Sequence, residues 1–413
     1  MKVLVLGAGV VGVTSAWYLA EAGHDVTVVD RQAAAGLETS FANGGQISVS
    51  HAEPWANPHA PALALSWMGR EDAPLLFRLR WDPALFAWGL RFLRECTPAR
   101  TRANIRDIVS LALYSRSRLQ DLRAATGITY DHLERGILHI YTDRRDFAGA
   151  VEAAAVMREF GCERNTIDAD ACLSIEPTLA KIHPQIVGGD FTPADESGDA
   201  HRFTQNLAAL GAARGITFRY GKTIERLALA GGRIAGVVAD GELLTADAYV
   251  VALGCESVFL LAPVGVRVPI YPGKGYSATI PLRDDSVAPT VSVTDDGHKI
   301  VFSRLGQRLR VAGTAEFNGY DRSLNAVRCQ ALLDRTLEIF PDLRPAGEPE
   351  YWTGLRPVTP SNLPIIGRTR VPNLYINSGH GTLGWTLACG SAAALADLLS
   401  GRRPEAEFPY LRG

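Results

Sequence analysis

A chain of 413 residues that is 47% hydrophobic and 21% charged can bury a sizeable core, and its length suits two domains or one carrying a large insertion. A formal net charge of −2, with acidic and basic residues interspersed, excludes the basic surface of a nucleic-acid binder. The six cysteines (Cys96, Cys162, Cys172, Cys255, Cys329 and Cys389) are widely spread, with no CxxC pair and no His/Cys grouping at metal-ligand spacing. Isolated reduced thiols are expected, with no disulfide framework and no metal site.

At the N-terminus, Lys2 precedes "VLVLGAGVVGV", but spaced glycines break the apolar run and no cleavage site follows, so the stretch does not read as a signal peptide. No segment offers the roughly 18 uninterrupted apolar residues of a membrane span. The expectation is a soluble protein, or one that lies on a membrane surface at most. Val3–Leu6 reads as a buried parallel strand, Val13–Ala22 as a helix closed by Gly23, and "DVTVVD" as a second strand. Between strand and helix, Gly7, Gly9 and Gly12 have the spacing GxGxxG. The first permits a tight turn, the second lets backbone approach a pyrophosphate, and the third lets helix and strand pack closely. The helix N-terminus offers free N–H groups and a positive dipole end to phosphates. Asp30, eighteen residues beyond Gly12, ends the second strand, where a carboxylate accepts ribose hydroxyls and repels the 2′-phosphate of NADP. A dinucleotide site is expected. The loop "ETSFANGGQIS" (38–48) supplies a second contact of the kind a flavin's ribityl chain needs, whereas NAD enzymes usually continue into another βαβ unit.

Residues 54–94 carry four of the seven tryptophans (Trp55, Trp67, Trp81, Trp88), interleaved with Arg70, Arg78, Arg80, Arg91 and Arg94. Two readings stand open: a membrane-interface segment, or aromatics packed between domains. Residues 99–125 read as a helix, 136–143 as a strand and 146–162 as a helix. Residues 198–229 read as a helix and a strand, followed by a hairpin and the strand "YVVALG" ending at Gly254. Several short strands over 266–315 suggest an antiparallel sheet, and "NAVRCQALLDRTLEIFP" suggests one more helix. The fold class is therefore α/β, α+β overall. A Rossmann-like dinucleotide domain spans 1–50, 198–262 and 352–413, and an antiparallel-sheet substrate domain spans 51–197 and 263–351. In the tail, strand-like "NLYIN" leads through the glycine-rich "SGHGTLGWT" into a helix from about Trp385 to Leu399.

"GAGVVG" with Asp30, "YVVALG", "GLRPVTPSNLPIIGRT" (354–369) and "NLYINSGHGTLGWT" together resemble the D-amino-acid oxidase and glycine oxidase superfamily of FAD enzymes. Within it, "YPGKGYSATIPL", "FSRLGQRLRVAGTAEFNGYD" and the tail resemble the small, catalytic subunit of bacterial D-amino-acid dehydrogenases, over essentially the whole chain. The resemblance implies FAD and oxidation of a D-amino acid at Cα, to a 2-oxo acid and ammonia. It also implies a quinone or other respiratory electron acceptor, and a cytoplasmic location that includes the inner (plasma) membrane's surface. Whether the chain forms an oligomer stays open. "YDHLERGILHIYTD" and "PADESGDAHRFT" depart from the family's best-known members, which keeps a D-hydroxyproline dehydrogenase, or an oxygen-using glycine or sarcosine oxidase, as the alternative.

Residue by residue, the resemblance makes Arg356 the ligand of the substrate carboxylate. Tyr276 is a second donor to it, and His51 and His380 are candidates near substrate. Lys274 corresponds in type to the lysine that assists oxygen in some oxidases. For the flavin it implies Gly7, Gly9, Gly12, Asp30 and Arg31; Ser40, Asn43 and Gly45 in the second loop; Ile224 and Gly254; and Gly379, Gly381, Thr382, Leu383 and Gly384, whose backbone would lie against the isoalloxazine.

Overall fold

The computed structural model describes residues 1–67, 71, 73–78, 80–283 and 287–413. Strand Lys2–Leu6 turns at Gly7 into helix Val10–Glu21 and returns as strand Asp25–Val29, paired in parallel with the first. Ala248–Val251 adds to the other side of Lys2–Leu6, and Leu374–Ser378 adds beyond that, both in parallel. Thr217–Arg219, Ile365–Arg368 and Leu411–Arg412 complete this sheet.

The central strands are mostly apolar because both faces are covered. Alternation sends Val3, Val5, Val26, Val28 and Val250 toward helices Val10–Glu21, Ala200–Ala213 and Gly384–Leu399. Leu4, Leu6, Val29 and Val251 point the other way, onto the antiparallel meander Ile224–Ala230, Arg233–Ala239 and Glu242–Leu244. Segment Gly381–Leu399 is long and apolar enough to cross a membrane by length and composition, yet it lies mostly buried in this core. Its small residues admit close neighbours. The Thr14 hydroxyl donates to the Ala388 carbonyl at 3.2 Å, and the Gly390 N–H donates to Ser115 Oγ at 2.9 Å.

The second sheet runs Glu350–Val358, Tyr271–Pro281, Arg308–Phe317, Ile300–Leu305, Ser292–Asp295, Ile137–Tyr141, Gly188–Thr192 and Asn165–Ile167, with Leu75–Phe77 beside Arg308–Phe317. It is mixed, where an antiparallel sheet was expected. Ser292–Asp295 runs parallel to Ile137–Tyr141, and Leu75–Phe77 runs parallel to Arg308–Phe317. Both parallel pairs join strands far apart in the chain, where no hairpin dictates direction. One face, including Tyr276, Ala278, Val293, Phe302 and Val311, packs on helix Ala326–Ile339.

Two stretches depart from the expected division of the chain. Helix Pro98–Thr126, assigned to the substrate domain, buries Ile105, Ile108, Leu111 and Leu119 in the core of the nucleotide domain. Residues 352–358, assigned to the nucleotide domain, belong to a strand of the second sheet. Contact partners that lie elsewhere in the chain decide both, and local periodicity carries no record of them. Of the 54–94 segment, Trp55 and Trp88 pack with Tyr271, Phe317 and Val358, Trp81 is exposed, and Arg70 lies outside the described residues.

Candidate functional site

A cavity of about 320 Å³ is lined by residues of both sheets. At one end stands the GxGxxG turn. A Cβ on Gly7, whose φ is +108°, would lie 2.6 Å from the Ala252 carbonyl oxygen, and one on Gly12 would lie 1.9 Å from that of Gly7. Gly12 therefore serves packing and does not line the cavity. Gly9 does line it, and a Cβ there would meet only Ser40 Oγ, at 3.5 Å. Helix Val10–Glu21 has no cap from its own N-cap side chain. Ser40 Oγ instead accepts the Val10 N–H at 3.0 Å, from across the cavity's edge.

Asp30 lies beside this turn. Its Oδ2 accepts the Ala8 N–H at 2.6 Å and its Oδ1 the Gln32 N–H at 2.7 Å, leaving each oxygen acceptor capacity for a ligand hydroxyl. Burial raises its pKa, and the two N–H donors work against that rise. Arg31 is less free than expected. Its guanidinium pairs with Glu38 Oε1 at 2.7 Å, while Glu38 Oε2 takes Arg322 at 2.6 Å, so the cavity rim there is a compensated ion cluster. Asn43, Ile224 and Gly254 line the cavity. Gly45 does not: at φ +80° its carbonyl accepts the Gly198 N–H at 2.7 Å and a Cβ would press on Ser303, so it ties the loop to the second sheet. Gly44 lines the cavity in its place.

At the other end, Gly381, Thr382 and Gly384 line the cavity where helix Gly384–Leu399 begins, again without a side-chain cap. Gly379, at φ +81°, packs against Thr359 instead, and Leu383 joins the hydrophobic core. His380 lines the cavity, with Nε2 hydrogen-bonded to Ser391 Oγ at 3.1 Å, and burial pushes its pKa down to about 3. It is neutral at physiological pH. Trp385 donates its indole N–H to the Gly198 carbonyl and packs on Phe203.

Arg356 is the cation of the site. It stands on strand Glu350–Val358 opposite Gly273, and its guanidinium lies over Gly275, where a Cβ would come within 2.2 Å of Cζ. One Nη donates to the Thr314 carbonyl at 2.7 Å, and no carboxylate pairs with the guanidinium among the described residues. Burial, with Arg328 nearby, lowers its pKa to about 10. A buried fork with unspent donors that opens on a cavity suits a ligand carboxylate.

Three expected residues fall elsewhere. Tyr276 follows Gly275, so alternation turns its ring to the helix-covered face, where its hydroxyl donates to Glu316; only its main chain remains to line the cavity. Lys274 shares that face, donating to Asp321 Oδ2 at 2.7 Å. His51 lies off the cavity, its ring centroid 5.6 Å from that of His139, and burial lowers its pKa to about 3. Sequence reasoning missed Gly275, Gly354 and Trp352, which shape the wall around Arg356. The alternating "GKG" of 273–275, two glycines on one face of a strand, was the available signal.

The model of a family described as FAD dependent oxidoreductase matches residues 2–398. The chain belongs to the FAD dependent oxidoreductase family. It is 66% identical to a D-amino acid dehydrogenase of Dechloromonas aromatica (strain RCB), covering 100% of both chains. It is 55% identical to the D-amino acid dehydrogenase of Paramagnetospirillum magneticum, over 97% of this chain and 96% of that one. Among solved structures it is similar in fold to glycine oxidase from Geobacillus kaustophilus, with TM-score 0.77, 20% identity and coverage of 100% and 99%.

FAD fits the cavity of this oxidoreductase. Helix N-termini open on it at Gly9–Val10 and at Gly384, each placing backbone N–H groups and a positive dipole end where an anionic or electron-rich group can lie. Gly9 keeps the first approach clear, and Asp30 holds spare acceptor capacity beside it.

Proposed function

We propose that the oxidoreductase converts D-amino acids to 2-oxo acids and ammonia, and delivers the electrons to a quinone in the inner membrane while working at its cytoplasmic face. The observation that carries the substrate class is Arg356, a buried guanidinium facing the cavity with donors unspent and no carboxylate partner among the described residues. When bound, FAD supplies the acceptor for the hydride that leaves Cα.

Each residue's part follows from its surroundings. Arg356 takes the α-carboxylate through two N–H groups, which fixes the position of Cα. Thr314 holds the fork in place, because its carbonyl occupies one N–H. The neutral His380, tied to Ser391, adds no charge to the wall. A substrate ammonium beside a buried guanidinium is disfavoured by desolvation and by like charge, so the site favours the neutral amine, its proton released to bulk water as the substrate enters, before the hydride leaves Cα. The imino acid that leaves hydrolyses in water. Gly7, Gly9, Asp30, Ser40 and Asn43 would hold the nucleotide half of the cofactor, with Gly12 keeping the turn closely packed behind them, and Gly381, Thr382 and Gly384 would lie toward its ring.

A panel of D-amino acids, assayed for ammonia release with an artificial electron acceptor and again with oxygen alone, tests this reading. Turnover with the acceptor and little peroxide with oxygen is expected. Turnover at equal rate on oxygen would place the enzyme among the oxidases.

A further inference from the structure

Helix Pro83–Glu95 has two apolar faces and only one is covered. Leu85, Trp88 and Phe92 pack on Tyr271, Phe317 and Val358, and the Trp88 indole donates to the Val358 carbonyl at 3.1 Å. Phe86, Leu90 and Leu93 recur at i, i+4 and i+7 along another face, and are 55%, 62% and 53% exposed. Trp81, 85% exposed, stands against Phe86 with ring centroids 5.6 Å apart. A contiguous apolar surface of this kind is unusual on a monomer that meets only water. On the helix's angular wheel, Arg94 and then Arg91 follow directly after this face. Neither has a carboxylate partner among the described residues.

We propose that this face seats the oxidoreductase on a membrane surface carrying anionic lipid. Phe86, Leu90, Leu93 and Trp81 enter the boundary between headgroups and acyl chains, and Arg91 and Arg94 lie against lipid phosphates. The pattern is that of a helix lying in the interface plane, with aliphatic and aromatic side chains immersed and arginines at the shoulder. An indole at the edge of the patch suits the same depth, since it buries a ring while its N–H stays wet. The unpaired arginines favour lipid over a second copy of this chain, since they have an anionic surface to meet there. The seat also bears on the site. The covered face of the helix rests on Val358, two residues beyond Arg356, and Asp82 at its N-terminus accepts the Tyr271 hydroxyl at 2.7 Å. The purpose of such a seat rests on the reading that the electron acceptor is a membrane quinone, whereas the seat itself stands on the surface alone.

The test is flotation of the FAD-loaded full chain with vesicles of phosphatidylcholine, with and without phosphatidylglycerol. Turnover of a D-amino acid with a soluble dye is followed in parallel. Wild type is expected to float with the anionic vesicles. The variant Phe86→Ser/Leu90→Ser/Leu93→Ser should float at least about 10-fold less. The variant Arg91→Gln/Arg94→Gln should lose the preference for phosphatidylglycerol, and both should keep dye turnover. Three results would overturn the proposal: wild type remaining in solution, the serine variant floating as well as wild type, or sedimentation showing that the serine changes split a dimer. Loss of dye turnover in wild type would instead strike at the proposed activity and leave the seat to be judged by flotation.

Discussion

Arg356 and Gly275 act as a pair. The guanidinium can lie flat on the strand only because its neighbour has no side chain, so Gly275→Ala should displace it. Arg356→Lys keeps the charge and loses the fork, and truncating such a buried charge contact costs about 2–4 kcal/mol. The expected fall in kcat/KM is about 30- to 1000-fold, mostly in KM, with FAD content unchanged. Gly275→Ala should behave in the same way, and steady-state kinetics beside the visible spectrum check both. Tyr276→Phe separates the two faces of the same strand. With its hydroxyl on Glu316, the change should leave KM within about 3-fold and lower stability by about 1–3 kcal/mol, because Glu316 loses a buried donor. A rise in KM as large as that of Arg356→Lys would return Tyr276 to the substrate. The place of Arg356 on the cavity wall agrees with the motif that carries the family resemblance. Tyr276 came with the same resemblance, and its ring turns to the other face because one residue of alternation separates it from Gly275, a parity present in the sequence.

At the scale of elements, strands and helices with strong periodicity were readable to within a few residues: the first strand, turn and helix, the 99–125 helix, and the tail helix that begins at Gly384. What stayed hidden was which elements meet. The packing of Pro98–Thr126 on Gly384–Leu399 depends on Gly390, where a Cβ would come within 2.7 Å of Ser115 Cα and Cβ. Nothing near Gly390 in the chain announces that contact. Gly390→Ala should force the helices apart and lower stability by about 1–3 kcal/mol despite the better helix propensity of alanine, seen as a lower urea midpoint. Since Gly384, Thr382 and Gly381 open this helix onto the cavity, weaker FAD retention should accompany the loss.

For the whole molecule, the paired-sheet organisation followed from the alternation of parallel and antiparallel signals along the chain, while the second sheet's mixed direction and the path of residues 98–126 needed coordinates. Burial of His380 couples folding to acidity. The unfolded chain takes up a proton near pH 6.5 that the folded chain refuses until about pH 3, so stability attributable to this residue is present above pH 6.5 and declines as pH falls below it. The slope is about 1.4 kcal/mol per pH unit. Urea midpoints at pH 7.5, 6 and 5 should fall, with His51, whose pKa burial also lowers to about 3, adding a like share; His380→Gln should remove its own part of the decline and leave the rest, and an unchanged slope would assign the decline to other groups.

If, as proposed, one cavity holds FAD between two helix N-termini and brings a D-amino acid's carboxylate to Arg356, reduction of the flavin by substrate depends on both. Anaerobic mixing of the FAD-loaded enzyme with D-alanine, and separately with L-alanine, reads this directly from the flavin's visible absorbance. Wild type should bleach with the D-isomer alone, and Arg356→Lys should need far higher D-alanine to do the same. Bleaching by neither isomer nor by any other D-amino acid, or equal bleaching of wild type and Arg356→Lys at low substrate, would contradict it.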